Sequence, residues 1–189
     1  MKKILLAFIT TVTFSMYVSA ADYRIDDKGA HAFINFKIKH LGYSWLIGRF
    51  NTFTGTFSYD ANNVNASTIQ VDIDTNSIDS NHAKRDKHLR SADFLDTSKY
   101  GTATFVSTNV VDNGNNNLSV VGDLTLHGVT KSITINAEKI GEGDDPWGGY
   151  RVGFSGTTEL RLRDFNIAER LGPASTTVQI ELHIEGIRQ

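Results

Sequence analysis

The sequence has 189 residues, contains no cysteine, and carries a formal net charge of −2 at pH 7. Without cysteine the chain can form no disulfide, thiolate metal site or catalytic thiolate, and it offers no cysteine that a lipid anchor could modify. A mildly acidic chain without a block of basic residues is a poor candidate for binding nucleic acid or an anionic membrane surface.

Residues 1–20 have the pattern of a secretory signal peptide. A basic start, Met1–Lys3, precedes an apolar stretch from Ile4 to about Tyr17 and then a run of small residues. This stretch is shorter than the roughly 20 residues that a membrane-spanning helix needs, and threonines dilute it. We expect cleavage between Ala20 and Ala21, or one residue later. Residues 21–189 would then form one domain in a bacterial periplasm.

Most of the remaining chain alternates apolar and polar residues with a period of two, which is typical of half-buried strands. The segment HAFINFKIK, which begins at His31, is the first example. The alternation predicts eight strands, at residues 31–39, 50–59, 69–74, 102–109, 118–126, 133–137, 152–162 and 178–184.

Turn residues separate these strands, most clearly in DNGNNN at 112–117 and in the glycine-rich loop at 141–149. Glycines also recur inside strands, at Gly55, Gly122 and Gly156, where a strand bends or another group approaches its backbone. Eight strands with short connections favour a closed antiparallel barrel, since closure removes exposed sheet edges. A β-sandwich is the alternative that the strand pattern leaves open. A barrel of this size has an interior that side chains fill or that holds one small ligand.

Residues 40–48, HLGYSWLIG, interrupt the alternation and concentrate aromatic and aliphatic residues between two glycines. We interpret them as a turn or short helical corner whose aromatics cover one end of the sheet.

Residues 76–100 form the one stretch without a strand pattern, and we predict a helical insert there, with Ser80 or Asn81 as its N-cap. On such a helix His82, Arg85, Asp86 and Leu89 share one face. The three polar residues could bind a polar headgroup at the mouth of a barrel. The alternative is a solvated surface helix with local ion pairs.

Signals for catalysis and for metal binding are weak. His82 and His88 are six residues apart, so they point to different sides of a helix and do not form a helical zinc pair. The sequence contains no Gly-x-Ser-x-Gly elbow and no glycine-rich phosphate loop. An enzyme acting on a lipid, with His82 and Asp86 as acid and base, remains one alternative. A structural stress protein with a filled core and no ligand is the other.

Six segments carry a family resemblance: FINFKIKHLGYSWLIGRFNTFTGTF at 33–57, 81–100, 122–135, 143–154, DFNI at 164–167 and LGPAS at 171–175. Read together, they resemble the YceI-like family of bacterial periplasmic proteins. The resemblance covers essentially the whole mature chain and implies an all-β fold, an eight-stranded antiparallel lipocalin-like barrel with one short helical insert. It also implies a lumen that holds an isoprenoid or another long-chain lipid, and a link to base or osmotic stress. The chain departs from the family pattern at Gly101 and Ser132, where proline is common.

The resemblance leads us to expect a non-enzymatic periplasmic carrier whose partner is a hydrophobic small molecule, without cofactor, metal or nucleic acid and not embedded in a membrane. Either the Trp45 corner or the Trp147 loop is a candidate contact surface for a homodimer. Headgroup contacts are expected from His82, Arg85 and Asp86. The expected lumen residues, any of which could instead be simple core, are Phe36, Ile38, Phe57, Ile73, Phe105, Leu124, Phe154 and Leu160, with Tyr43, Trp45, Leu89 and Phe94 near an end or under the helix.

Overall fold

The structure is a computed structural model that describes residues 20–29 and 31–189. The predicted signal peptide therefore lies almost entirely outside the described residues. The described chain consists mainly of antiparallel strands with one short helix, α1, at Ala83–Leu89. The strands are β1 Ala21–Ile25, β2 Phe33–His40, β3 Ser44–Phe50, β4 Phe53–Tyr59, β5 Thr68–Asp74, β6 Ile78–Asp79, β7 Thr102–Gly114, β8 Asn117–Leu126, β9 Val129–Asp144, β10 Tyr150–Arg161 and β11 Thr177–Arg188.

Eight of these strands form a closed ring in the order β1, β4, β5, β7, β8, β9, β10, β11 and back to β1. Strand β1 closes the ring, because Tyr23 pairs with Phe57 of β4 on one side and with Arg188 of β11 on the other. The predicted eight-stranded antiparallel barrel is confirmed, and the sandwich alternative is wrong.

The strands that make the ring differ from those that the alternation predicted. Strand β1 was missed, because five residues offer too little alternation to recognise. The predicted first strand, β2, pairs with residues 178–183 of β11, beside the stretch that β1 occupies at 186–188. Strands β2, β3 and β6 continue the sheet from that edge of β11. Strand β11 thus pairs with β2 along one part of its length and with β1 along the next, and a period-two sequence pattern cannot reveal such a change of partner.

The expected turn or helical corner at residues 40–48 is only partly right: the turn is confined to residues 41–43, and the corner that covers one end of the sheet is wrong. Strand β3 begins at Ser44 and pairs with β2 in a hairpin whose turn contains Leu41 and Gly42, both with positive φ. The predicted strand 50–59 is in fact split between Phe50 and Phe53. The corner was misread because Trp45, Leu46 and Ile47 place apolar side chains on both faces of β3, which hides the alternation.

The asparagine-rich turn is confirmed and is shorter than predicted. Strand β7 runs to Gly114 and β8 begins at Asn117, which leaves two residues between them. Both of these residues, Asn115 and Asn116, have positive φ. Two successive positive φ values are typical of the tight turns that match the twist of a β-hairpin, and asparagine tolerates them well.

The insert contains less helix than predicted. Only seven residues, Ala83–Leu89, are α-helical, and its N-cap is His82, whose Nδ1 accepts a hydrogen bond from the Arg85 N–H at 3.2 Å. The expected caps are wrong for different reasons. Ser80 is buried and bonded to Asp86, while Asn81 has a left-handed backbone with φ of 61°.

The core lies inside the barrel, on the inner face of each strand. Strand glycines allow large rings to lie across neighbouring strands. A Cβ atom on Gly122 would lie 2.4 Å from the Phe105 ring, and one on Gly186 would lie 2.3 Å from the Phe57 ring. The predicted role of Gly122 as a site of close approach is therefore confirmed.

Candidate functional site

An apolar cavity of about 200 Å³, which we call the upper cavity, lies among the strands. Its walls are inner side chains of the strands, and its cover comes from two segments outside the barrel. The insert contributes Leu89 and Phe94, and the segment between β10 and β11 contributes Phe165 and Leu171. Among the described residues, the lining is aliphatic or aromatic except for Thr158 and Arg170.

A second apolar cavity, of about 110 Å³, lies further down the barrel, and we call it the lower cavity. Phe154 forms edge-to-face contacts there with Phe57 and Tyr59, at ring-centroid distances of 5.9 and 5.4 Å. Ile135 and Leu182 line both cavities. These two aliphatic side chains therefore lie between the upper and lower cavities.

Ten of the twelve apolar residues predicted near the lumen lie on its walls. Phe57 and Phe154 line the lower cavity. That any of these ten residues contacts a ligand remains a prediction. The upper cavity is lined by Phe36, Ile38, Ile73, Leu89, Phe94, Phe105, Leu124 and Leu160.

The other two predicted residues, Tyr43 and Trp45, line neither of these cavities in the described structure. Tyr43 lies in the hairpin turn and Trp45 on the outer face of β3, and both are exposed. The inner face of β3 instead contributes Leu46 and Phe50 to the upper cavity. Reading 44–50 as a strand would have found them, since alternate residues of a strand share one face.

Arg85 and Asp86, predicted to contact a headgroup, make hydrogen bonds to Ser80. The Arg85 Nε and Nη2 groups donate to the Ser80 hydroxyl and carbonyl oxygens at 2.7 and 2.5 Å. The buried Asp86 carboxylate accepts from the Ser80 N–H at 2.8 Å and from its hydroxyl. These bonds hold the start of the insert in place, and His82 is exposed at the N-cap. A headgroup role for the three residues remains a prediction.

Among the described residues, the polar side chains that line the upper cavity are Thr158 and Arg170, and sequence reasoning missed both. Arg170, which lines the cavity, places its Nη2 at 2.8 Å from Asp93 Oδ1. The other carboxylate oxygen of Asp93 lies 3.0 Å from His88 Nε2. This ion pair joins the insert to the segment between β10 and β11, the two covers of the cavity.

A separate cluster of charges surrounds Arg151 on β10. Its guanidinium donates to Asp26 at 2.7 Å, to Asp145 at 2.8 Å and to Glu185 at 2.5 Å. Asp26, Glu185 and His31 could together present ligand atoms to a metal ion. Because the Arg151 guanidinium already lies against both carboxylates, the group is better described as an ion-pair network that ties β1, β10 and β11 together.

This network changes the protonation of its members. Burial alone would raise the pKa of Asp26, but hydrogen bonds from Arg151, His31 and the Gly29 N–H outweigh it and lower the pKa to about 2. The hydrogen bonds to Asp26 and Asp145 raise the pKa of Arg151 above its usual range. Both groups are therefore charged at neutral pH and attract each other.

Comparison with known proteins agrees with the barrel fold. Residues 23–186 match the YceI-like domain family. The chain belongs to the YceI-like family. A UPF0312 protein of Vibrio cholerae is 60% identical over 191 residues, which span the full length of both chains. The family resemblance read from the sequence segments is thus confirmed.

Solved structures show the same fold. BcnA of Burkholderia cenocepacia superposes with a TM-score of 0.76 at 22% identity, covering 85% of this chain and 98% of BcnA. A polyisoprenoid binding domain of Saccharophagus degradans, implicated in plant cell wall breakdown, gives a TM-score of 0.66 at 18% identity, covering 90% of this chain and all of that domain.

Across residues 20–29 and 31–189, none of the helices has the length and apolar character that crossing a membrane requires.

Proposed function

We propose that this protein is a non-enzymatic lipid-binding protein of the periplasm, which holds an isoprenoid or similar long chain inside the barrel. The observation that carries the proposal is the almost wholly apolar lining of the upper cavity, with a second apolar cavity below it. Binding against such a lining moves the apolar groups of a ligand out of water, which is favourable. The lining offers few hydrogen-bond partners to a polar ligand.

The gain from burying a lipid chain is large enough for a carrier. If the chain buries about 400 Å² of apolar surface, transfer at about 25 cal/mol/Å² contributes near 10 kcal/mol before the losses of ordering and association. A binding mode of this kind selects for length and shape more than for chemical groups. Ile135 and Leu182, which line both cavities, are placed to limit how far a chain can extend.

The similarity to a polyisoprenoid binding domain supports an isoprenoid as the cargo, because the two proteins share the barrel. Binding is favoured over catalysis because His82 and Asp86, the acid and base of the enzyme alternative, are engaged by the Arg85 N–H and by Ser80 respectively. Export through a signal peptide at residues 1–20 and a role under base or osmotic stress complete the proposal.

The test is to purify the mature protein from its native periplasm, extract it with organic solvent and identify the extract by mass spectrometry. A stoichiometric isoprenoid is the expected result. Phe36→Asp and Phe154→Asp, which place a charge on the upper and lower cavity walls, should lose it. Ile140→Asp, on an exposed β9 residue, should keep it.

Three results would overturn the proposal. One is a folded wild-type protein that carries no lipid. Another is unchanged lipid content in both cavity variants, each shown to be folded by circular dichroism. The third is conversion of the bound lipid by the wild type, lost in His82→Ala, which would establish the enzyme alternative.

A further inference from the structure

The outer face of the β2–β3 hairpin carries a concentration of exposed apolar side chains. Tyr43 is 87% exposed, Ile47 64%, Leu41 49% and Trp45 47%. Isolated exposed apolar residues are ordinary, but several on one short hairpin suggest a contact surface. We call Leu41, Tyr43, Trp45 and Ile47 the hairpin patch.

Two lysines flank the hairpin patch. Lys39 is paired with Trp45 across the hairpin and Lys37 with Ile47. Their Nζ atoms lie 5.7 and 5.2 Å from the Trp45 ring centroid. The chain contains no acidic residue between Asp27 and Asp60, although its overall charge is negative. The neighbouring acids lie outside the hairpin. Asp79 is beside Arg49 and Glu181 beside Asn35, both further from the hairpin turn. Glu159 and Asp164 share a surface groove with Lys37 and Ile47, together with the basic residues Lys131 and Arg161.

The hairpin is also part of the cavity wall. Its inner face contributes Ile38 and Leu46 to the upper cavity, one residue away from the outward-facing Lys39 and Trp45. The Ser175 hydroxyl donates to the Lys39 carbonyl oxygen at 2.5 Å, which fastens the hairpin to the segment that covers the cavity. Any partner surface that binds the hairpin patch therefore lies next to the covered end of the upper cavity.

We propose that the hairpin patch docks on the surface of an anionic lipid bilayer and places the upper cavity against it. Tryptophan and tyrosine favour the membrane interface, where an apolar body and a polar tip are both satisfied. Lysine side chains extend past apolar neighbours to reach anionic headgroups. The negative net charge argued against such contact for the chain as a whole, whereas the local charges of the hairpin favour it in one orientation.

A second copy of this chain is a poorer occupant. A symmetric dimer through the same patch would bring Lys37 and Lys39 of one protomer close to the same lysines of its partner. Like charges in a contact destabilise it, while an anionic bilayer pairs with all of them. The docking surface rests on the proposed lipid-binding function, since a carrier must meet the membrane that holds its cargo.

The experiment is flotation of the mature protein with vesicles of phosphatidylglycerol and phosphatidylethanolamine, compared with vesicles of phosphatidylcholine alone. The wild type should float with the anionic vesicles. The variant Trp45→Ser/Ile47→Ser and the variant Lys37→Gln/Lys39→Gln should each lower the partition coefficient by at least about tenfold. Ile140→Ser, at an equally exposed site on β9, is the matched control and should bind as the wild type does.

Two further measurements separate the possible failures. In a Trp147→Phe background, emission from Trp45 should shift to shorter wavelength with anionic vesicles. When a fluorescent long-chain fatty acid is added from solution, without vesicles, the hairpin variants should bind as much of it as the wild type, so loss of docking is distinguished from loss of the container. The proposal is overturned if the wild type does not float, or if the hairpin variants float like Ile140→Ser. It is also overturned if light scattering shows a dimer that only Trp45→Ser/Ile47→Ser dissociates.

Discussion

The Arg170 guanidinium lies 2.8 Å from the Asp93 carboxylate and thereby connects the two segments that cover the upper cavity. Asp93 and Arg170 are 77 positions apart in the chain. The two segments make no strand pairing with each other among the described residues. The ion pair is therefore placed to influence how readily the cover opens.

Asp93→Asn should increase the rate at which a bound chain leaves, because it removes the charge that holds Arg170. Both partners are about half exposed, so the free energy of unfolding should change by less than about 1 kcal/mol. Release of a fluorescent long-chain fatty acid, followed by stopped flow, measures the effect. Glu181→Gln breaks another exposed pair, with His183, and should leave release unchanged. Equal release rates in Asp93→Asn and the wild type would show that the pair does not restrain the cover.

The low pKa of Asp26 predicts a specific acid dependence of stability. Its pKa is about 2 in the folded protein and near 3.9 when unfolded. The unfolded state therefore binds more protons between about pH 4 and pH 2. The contribution of Asp26 is fully present above that window and is lost as the pH falls through it.

Urea titrations at several pH values between about 5 and 2 test this dependence. Asp26→Asn should flatten the fall in unfolding free energy, while Asp123→Asn, at an exposed β8 position, should retain it. If the unfolding free energy falls equally steeply with pH in both variants, Asp26 is not the source of the acid dependence.

Leu182→Trp should shorten the chains that the barrel accepts. Leu182 lines both the upper and the lower cavity, so a larger side chain there leaves less room for a chain to extend from one to the other. Mass spectrometry of the co-purified lipid should show a shift to shorter chains, and Leu182→Met, which conserves volume, should show none. An unchanged length distribution in a folded Leu182→Trp protein would place the chain entirely in the upper cavity.

Gly122→Ala should destabilise the barrel by about 1–3 kcal/mol, because the new Cβ would meet the Phe105 ring in a packed wall. The added atom would lie 2.4 Å from that ring. Gly141→Ala is the control, since a Cβ there meets nothing within 4 Å. Midpoints of urea unfolding measure both. Similar midpoints would mean that Phe105 can move aside, and lipid content would then show whether it moves into the cavity.

The sequence predicted the barrel well where one face of a strand is polar. Strands such as β5 and β10 alternate cleanly because burial on one side and water on the other impose a period of two. The same reasoning failed for β3, since its outer face is also apolar, and for β1, which is too short to show a period. The insert was located correctly, but its cap and its polar contacts depend on Ser80, which folds back onto Asp86.

By itself the sequence determined the type of protein: a strand-rich chain with the segments of the YceI-like family and apolar faces large enough to line a lumen. Tertiary structure alone decided which apolar residues are enclosed. Leu46 lines the upper cavity while its neighbours Trp45 and Ile47 remain exposed, although the three are similar in hydrophobicity. The reason is physical. Alternation assigns residues to two faces of a strand, but only closure of the sheet through β1 and β11 determines which face becomes the inside.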